Sequence, residues 1–94
     1  MKSYASIDRV EGKFAVCEVE LVPVEESPHL TPFEKETEML DVHVEVITGV
    51  CGEIQEGDII VVEYDDNPDL IHVYGKDEAE KQRRIKLLEE IMNS

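Results

Sequence analysis

The chain has 94 residues, of which 23 are acidic and 9 are basic, so its formal net charge is −14. This length predicts one domain with a single modest core, and a hydrophobic content of 41% is too high for a disordered chain. The excess of carboxylates argues against binding to nucleic acid and to anionic membranes, because both need clustered cations. It favours cationic partners or metal ions.

The cysteine content and the absence of targeting patterns predict a cytoplasmic protein. Two cysteines do not make a disulfide framework. No stretch has the pattern of a signal peptide, and no apolar run approaches the length of a membrane span. We therefore expect a reducing compartment and no membrane association.

The beginning of the chain predicts an antiparallel hairpin. A weakly alternating strand covers residues 4–10, and a stronger one covers residues 14–21. Glu11 and Gly12 form the turn between them, since glycine tolerates positive φ. On the second strand one side is apolar, with Ala15, Cys17, Val19 and Leu21.

Residues 23–38 predict a Pro- and Glu-rich loop, because three prolines and five glutamates oppose a strand there. A solvated, mobile loop is the main expectation. The alternative is a helical turn or two starting at Thr31, where Pro32 and Glu34 complete the pattern of a helix N-terminus.

Residues 39–48 show the clearest alternation in the chain and predict a third strand. Its two faces are Leu40, Val42, Val44 and Val46 on one side, and Asp41, His43 and Glu45 on the other. Gly49 and Gly52 predict a short turn after it.

Residues 54–64 predict a turn followed by a central strand. Gly57 supplies the backbone freedom, Asp58 can accept backbone N–H groups, and the run from Ile59 is rich in β-branched residues. Residues 65–69 then predict a hairpin turn, and residues 70–74 the last strand.

Residues 77–92 predict a helix. Asp77 is a good N-cap, and Glu80 stands three residues later in the spacing of a capping box. Five apolar residues recur at helical spacing and are expected to cover one side or end of the sheet: Ile85, Leu87, Leu88, Ile91 and Met92.

These elements predict a mainly β fold in a single domain over residues 1–94. The strands lie within residues 3–22 and 39–74. We expect an SH3-like or OB-like, partly closed barrel of about five antiparallel strands with a C-terminal α-helix. Closure of the sheet into a barrel is favoured because it removes exposed sheet edges.

Three segments resemble a family of small bacterial proteins, family 3006 of the domain-of-unknown-function series. They are residues 7–18 (IDRVEGKFAVCE), residues 56–59 (EGDI) and the basic helix at residues 81–88 (KQRRIKLL). The resemblance implies a small barrel-like domain with a C-terminal helix and no known activity or catalytic residues. Fusion of some members to metallo-β-lactamase-fold proteins implies an accessory role, although that enzyme's metal ligands are missing here. Residues 23–38 have no counterpart in the family.

The helix also carries the predicted interaction surface, which consists of Arg83, Arg84, Leu87 and Ile91. Glu80 stands four residues before Arg84, so an intrahelical pair accounts for part of the basic stripe. If Leu87 and Ile91 stay exposed, they offer an apolar seam for a protein partner or a homodimer. We therefore predict a non-catalytic binding or accessory module that binds neither nucleic acid nor membranes.

The sequence predicts no catalytic residue, cofactor or metal site, but alternatives remain open. Cys51 is the one candidate nucleophile, in acidic surroundings that disfavour a thiolate. Calcium could bind the acidic hairpin at residues 65–69, although Leu70 stands where a calcium loop needs glycine. Zinc could bind a set assembled by the fold from Cys17, Cys51, His29, His43 and His72. A nucleic-acid-binding small barrel is the weakest alternative.

Overall fold

A computed structural model describes residues 1–63 and 71–93, and it confirms a mainly β fold with a C-terminal helix. The strands are β1 (Lys2–Glu11), β2 (Phe14–Glu20), β3 (Thr37–His43), β4 (Ile59–Glu63) and β5 (His72–Lys76). The helices are α1 (Val44–Cys51), α2 (Glu78–Met92) and a short 3-10 helix, Ser27–His29. The predicted hairpin turn at residues 65–69 lies outside the described residues.

The five strands form one antiparallel sheet in the order β3-β2-β1-β4-β5. β1 is the middle strand: its residue Ala5 pairs with Val19 of β2 and with Ile60 of β4. The predicted strand at 59–63 lies beside it, inside the sheet. In the described pairings β3 and β5 stand at opposite ends, so closure into a barrel stays a prediction.

The core lies on one face of the sheet, as the alternation of apolar residues predicts. The residues that share this inner face are Ala5, Ile7, Ala15, Cys17, Val19, Leu40, Val42, Ile60, Val62 and Val73. Leu21, expected to continue the apolar side of β2, follows the strand and is exposed. The inner face is therefore supplied by all five strands.

The prediction of a strand over residues 39–48 is wrong after His43, where the chain turns into α1. The N–H of Val44 donates to the carbonyl of Lys13 at 2.8 Å, at the end of the β2–β3 ladder. From there Val44, Ile47 and Cys51 recur at helical spacing and pack towards the core, while Val46 is exposed. The helix continues through the turn predicted at residues 49–52 and ends at Gly52, which has φ 76°.

α1 covers the inner face of the sheet. It packs against β5 and, to a smaller extent, against β3, which are the two strands at the ends of the sheet order. Its residue Ile47 is fully buried in the core. The small helix therefore supplies the cover that the apolar inner face needs.

Residues 23–36 of the predicted loop contain no strand, whereas its last two residues, Thr37 and Glu38, belong to β3. The strand-free part is attached to the sheet. The N–H of Val24 donates to the carbonyl of Lys2 at 3.0 Å, and Ser27 is buried. At the predicted helix start, the N–H of Thr31 donates to Glu34 Oε1 at 2.9 Å, yet only a turn follows. The segment is thus more ordered than the expected solvated loop.

α2 begins as predicted, with Asp77 accepting the N–H of Glu80 at 2.9 Å. The expectation that its apolar residues cover the sheet is wrong. The exposed fractions of its five apolar residues range from 42% to 76%: Ile85, Leu87, Leu88, Ile91 and Met92. The buried residue of this helix is Glu80. Within the described part of the chain, neither helix is long and apolar enough to cross a membrane.

Candidate functional site

The outer face of the sheet, opposite the core, carries polar side chains and is partly covered by α2. Ser6 of β1 stands beside Glu18 of β2, and Glu20 stands beside Thr37 of β3. The guanidinium of Arg84 in α2 lies 5.2 Å from the centre of the Tyr4 ring on the same face. Polar and charged contacts therefore join α2 to the sheet.

Glu20 is the centre of the contacts that hold α2 and residues 21–36 to the outer face. Its carboxylate is buried, yet it accepts from Ser27 Oγ at 2.5 Å and pairs with Arg84 Nη1 at 3.0 Å. Lys35 Nζ lies 3.6 Å from the same carboxylate. Because a buried carboxylate is costly without partners, these three contacts fix the positions of the elements that supply them.

Glu80 repeats this arrangement within α2. Its buried carboxylate accepts from Arg83 Nε at 2.7 Å and from Arg84 Nε at 3.2 Å. The hydrogen bond to Glu80 raises the pKa of Arg83, although burial opposes the shift. The predicted pair between Glu80 and Arg84 is therefore present, and Arg84 bridges Glu80 to Glu20.

Asp58 forms a second attachment of α2, at the turn before β4. Its buried carboxylate accepts the N–H of Gln55 at 2.9 Å, as predicted, and pairs with Lys81 Nζ at 2.7 Å. Lys76 Nζ lies 3.9 Å away. Burial alone would raise the pKa of Asp58, but the bonds to Lys81 and Gln55 outweigh it and hold the pKa below its usual value.

A groove runs between the outer face, residues 28–35 and α2, with a cavity volume of about 320 Å³. We call it the α2 groove. The helix contributes Arg83, Arg84, Leu87, Leu88 and Ile91. The segment opposite contributes Pro28, Leu30, Pro32 and Lys35, and the sheet contributes Ser6, Glu18, Glu20 and Thr37.

The α2 groove has a charged end and an apolar end. At the charged end Glu20 pairs with both Arg84 and Lys35. One turn further along α2, Leu88 stands four residues after Arg84 and therefore on the same side of the helix. The apolar end can accept an aliphatic or aromatic side chain next to ions that are already paired.

The four residues of the predicted interaction surface all line this groove, so the structure brings Arg83, Arg84, Leu87 and Ile91 together. The two arginines are engaged by carboxylates of the same chain. Their charge is therefore largely used within the domain, and the apolar residues form the part of the surface that faces outward.

Sequence reasoning missed three residues that build the charged end: Glu20, Ser27 and Lys35. Glu20 is one of 23 acidic residues, and nothing in its neighbourhood marks it as buried. Ser27 and Lys35 belong to the segment expected to be a solvated loop. A signal was available only for Glu20, which falls on the same strand side as the buried Val16.

The thiols and imidazoles proposed as alternative sites are dispersed. Burial raises the pKa of the Cys17 thiol to about 11, and it also raises the pKa of Cys51. His43 and His72 are exposed, as predicted. Among the described residues no group of three or more His, Cys, Asp and Glu side chains could hold a metal ion. The acidic hairpin considered for calcium lies outside those residues.

Comparison of the chain with models of known protein families, with curated proteins and with solved structures gives no match. The resemblance to family 3006 therefore stays a prediction.

Proposed function

We propose that this chain is a non-catalytic, protein-binding module that acts through the apolar end of the α2 groove and the adjoining exposed residues of α2. The observation that carries the proposal is the set of exposed apolar side chains on that helix. Scattered apolar residues are normal on surfaces, but a contiguous group on one helix side is typical of interaction sites.

The way α2 is attached supports the proposal. Asp77 caps the helix, Lys81 pairs with Asp58, and Arg84 pairs with Glu20, so the first half of α2 is fixed by polar contacts. The second half follows from this fixed half, and its apolar side chains are exposed. A helix that is already positioned loses little conformational entropy when a partner docks on it.

The composition of the surface indicates the kind of partner. Leucine and isoleucine side chains line the wall of the groove, and Phe33, which follows the groove residue Pro32, is 98% exposed. Interfaces commonly combine such an apolar centre with a polar rim. We therefore expect a protein partner that inserts apolar side chains, and we place the interaction in the cytoplasm, where both free cysteines stay reduced.

Site-specific photo-crosslinking tests the proposal. A photoreactive amino acid replaces Leu88 in one variant and Val50 in another; both positions are exposed helix residues, but Val50 lies on α1. We expect a crosslinked protein species from position 88 and a much weaker one from position 50. Absence of crosslinking from position 88, or equal crosslinking from both positions, would contradict a protein-binding role for α2.

A further inference from the structure

The positive charges that line the α2 groove are already paired within the domain. Lys35 and Arg84 pair with Glu20, and Arg83 pairs with Glu80 of the same helix. A partner with acidic side chains would have to compete with these carboxylates for the same cations. The groove therefore offers little free positive charge to a partner.

One carboxylate that lines the groove lies outside these pairs. Glu18 is exposed and makes no ion pair within the part of the chain that the structure describes. Its neighbours across the sheet are Ser6 of β1 and Met39 of β3, and neither of them carries a charge. The carboxylate of Glu18 can therefore accept a cation from outside the domain.

The segment opposite α2 adds further negative charge. Residues 23–38 contain five glutamates and one basic residue, Lys35, which pairs with Glu20. Next to Lys35, the exposed Glu34 accepts the N–H of Thr31 at 2.9 Å. This hydrogen bond lowers the pKa of Glu34, so the side chain is ionised at neutral pH. A carboxylate of fixed position thus flanks this wall of the groove.

Apolar side chains stand on both walls between these carboxylates. The apolar residues that line the groove are Pro28, Leu30, Pro32, Leu87, Leu88 and Ile91. From Arg84 to Ile91 the helix rises about 10 Å, which is about two turns. With a cavity volume of about 320 Å³, the groove accommodates a few side chains of one short segment.

We propose that the partner presents a short cationic segment, whose apolar side chains enter the α2 groove and whose lysine or arginine side chains pair with Glu18 and Glu34. This inference rests on the proposed function and names the chemistry of its partner. Charge complementarity supports it, because a domain with a net charge of −14 attracts a cationic segment and repels an acidic one. An apolar centre with a polar rim is also the usual anatomy of an interface.

Fluorescence anisotropy with labelled peptides and the purified full chain tests the proposal. Three peptides carry the same leucines at helical spacing, and their remaining variable positions hold lysine, glutamine or glutamate. We expect a dissociation constant on the order of 10 μM for the lysine peptide in about 50 mM salt, and binding at least about tenfold weaker for the other two. Replacing the leucines of the lysine peptide by alanine should also weaken binding about tenfold.

Two double variants separate the groove carboxylates from the overall charge of the domain. Glu18→Gln/Glu34→Gln removes the proposed cation acceptors, and glutamine keeps an oxygen for the N–H of Thr31. Glu45→Gln/Glu56→Gln removes two exposed carboxylates that do not line the groove, so both variants change the net charge from −14 to −12. We expect the first to raise the dissociation constant of the lysine peptide about tenfold and the second less than about threefold. Equal effects would overturn the proposal.

Leu88→Ala and Val50→Ala test the apolar contact in the same way. Both residues are exposed on a helix, but Val50 belongs to α1 and does not line the groove. We expect Leu88→Ala to raise the dissociation constant about tenfold and Val50→Ala to leave it within about twofold. Equal constants for the two variants would overturn insertion of apolar side chains at this groove. Thermal unfolding of each variant checks that the fold is intact.

The outcomes separate this inference from the proposed function. Binding of the glutamine or glutamate peptide as tight as that of the lysine peptide, or no binding of any peptide up to about 300 μM, would overturn the cationic segment. Mass spectrometry of the species crosslinked from position 88 identifies the contacted segment, which should be net positive. A neutral or acidic segment, or a crosslink between two copies of this chain, would overturn the inference and leave the binding role in place. Absence of both crosslinking and peptide binding would overturn both.

Discussion

The two helices of this domain are attached to opposite faces of the same sheet by different kinds of contact. α1 covers the inner face and contributes Ile47, which is fully buried among apolar residues. α2 lies over the outer face and contributes Glu80, a buried carboxylate that accepts from two arginines. One helix is held by apolar burial, the other by a cap and ion pairs.

This difference separates stability from binding. Apolar burial is the larger contribution to folding, and α1 uses its inward side chains for it. α2 is positioned by hydrogen bonds and ion pairs, whose geometry is directional, so its apolar residues remain on the surface. Four substitutions test this division. The expected loss of unfolding free energy is largest for the buried apolar residue of α1 and smallest for the N-cap of α2.

Ile47→Ala should destabilise the fold by about 2–4 kcal/mol, because it leaves a cavity in the core under α1. Chemical denaturation measures the change in the free energy of unfolding. Val50→Ala on the same helix is the matched control and should stay within about 0.5 kcal/mol, since Val50 is exposed. Similar losses at both positions would show that α1 does not depend on its buried side.

Glu20→Ala should cost about 2 kcal/mol, because it leaves Ser27, Lys35 and Arg84 without the carboxylate they share. The loss should be accompanied by faster hydrogen exchange in α2. Glu18→Ala is the control, since Glu18 stands two residues earlier on the same strand side and is exposed. An α2 that keeps its exchange protection in Glu20→Ala would mean that this network does not hold the helix.

Asp58→Asn should cost about 1.5 kcal/mol at neutral pH, because Lys81 loses its ionised partner. The pKa of Asp58 is lower in the folded chain than in the unfolded chain, so its contribution is complete above about pH 4 and is lost as the pH falls through the folded value. The hydrogen bond that Lys81 donates to Asp58 raises the pKa of Lys81, so its contribution is lost only as the pH rises above about 10.

The difference in unfolding free energy between the wild type and Asp58→Asn should therefore be constant between about pH 5 and 9 and shrink below about pH 4. Denaturation at a series of pH values measures this difference. Glu56→Gln is the control, because Glu56 is an exposed carboxylate two residues before Asp58. If this difference in unfolding free energy grew on acidification, the ionised form of Asp58 would not be the form that stabilises the fold.

Asp77→Ala should have the smallest effect, about 1 kcal/mol, since it removes the N-cap of α2 and the acceptor of the Tyr4 hydroxyl. Asp77→Asn keeps a capping oxygen and should recover at least half of the loss. Helical content by circular dichroism, followed during thermal unfolding, compares the two. Equal effects of the two substitutions would indicate that the charge of Asp77, and not its cap, stabilises the helix.

The parts of the fold that local chemistry determines could be predicted from the sequence. The N-cap residue Asp77 indicated where α2 begins, and the turn at Gly57 and Asp58 indicated where β4 begins. The missed helix α1 shows the limit, because Val42, Val44 and Val46 continue the alternation of β3 into a segment that the tertiary structure folds as a helix. Val44, Ile47 and Cys51 have helical spacing, but β-branched residues favour the strand interpretation.

The site could be predicted on one side only. The helical spacing of Leu87 and Ile91 identified the surface of α2, but the opposite wall of the groove comes from Pro28, Leu30 and Pro32. Those residues belong to a segment whose position depends on Glu20 and Ser27, two side chains brought together by long-range folding. No local pattern in the sequence encodes that contact.

The central position of β1 has a consequence for the order in which the chain can fold during synthesis. β1 precedes the other four described strands in the chain, and its neighbour β2 follows after a two-residue turn. Its other neighbour, β4, supplies Glu63 opposite Lys2, so this pairing must close a long loop and contributes to slower folding. The ribosome must therefore have synthesised residues 59–63 before β1 can pair with both of its neighbours.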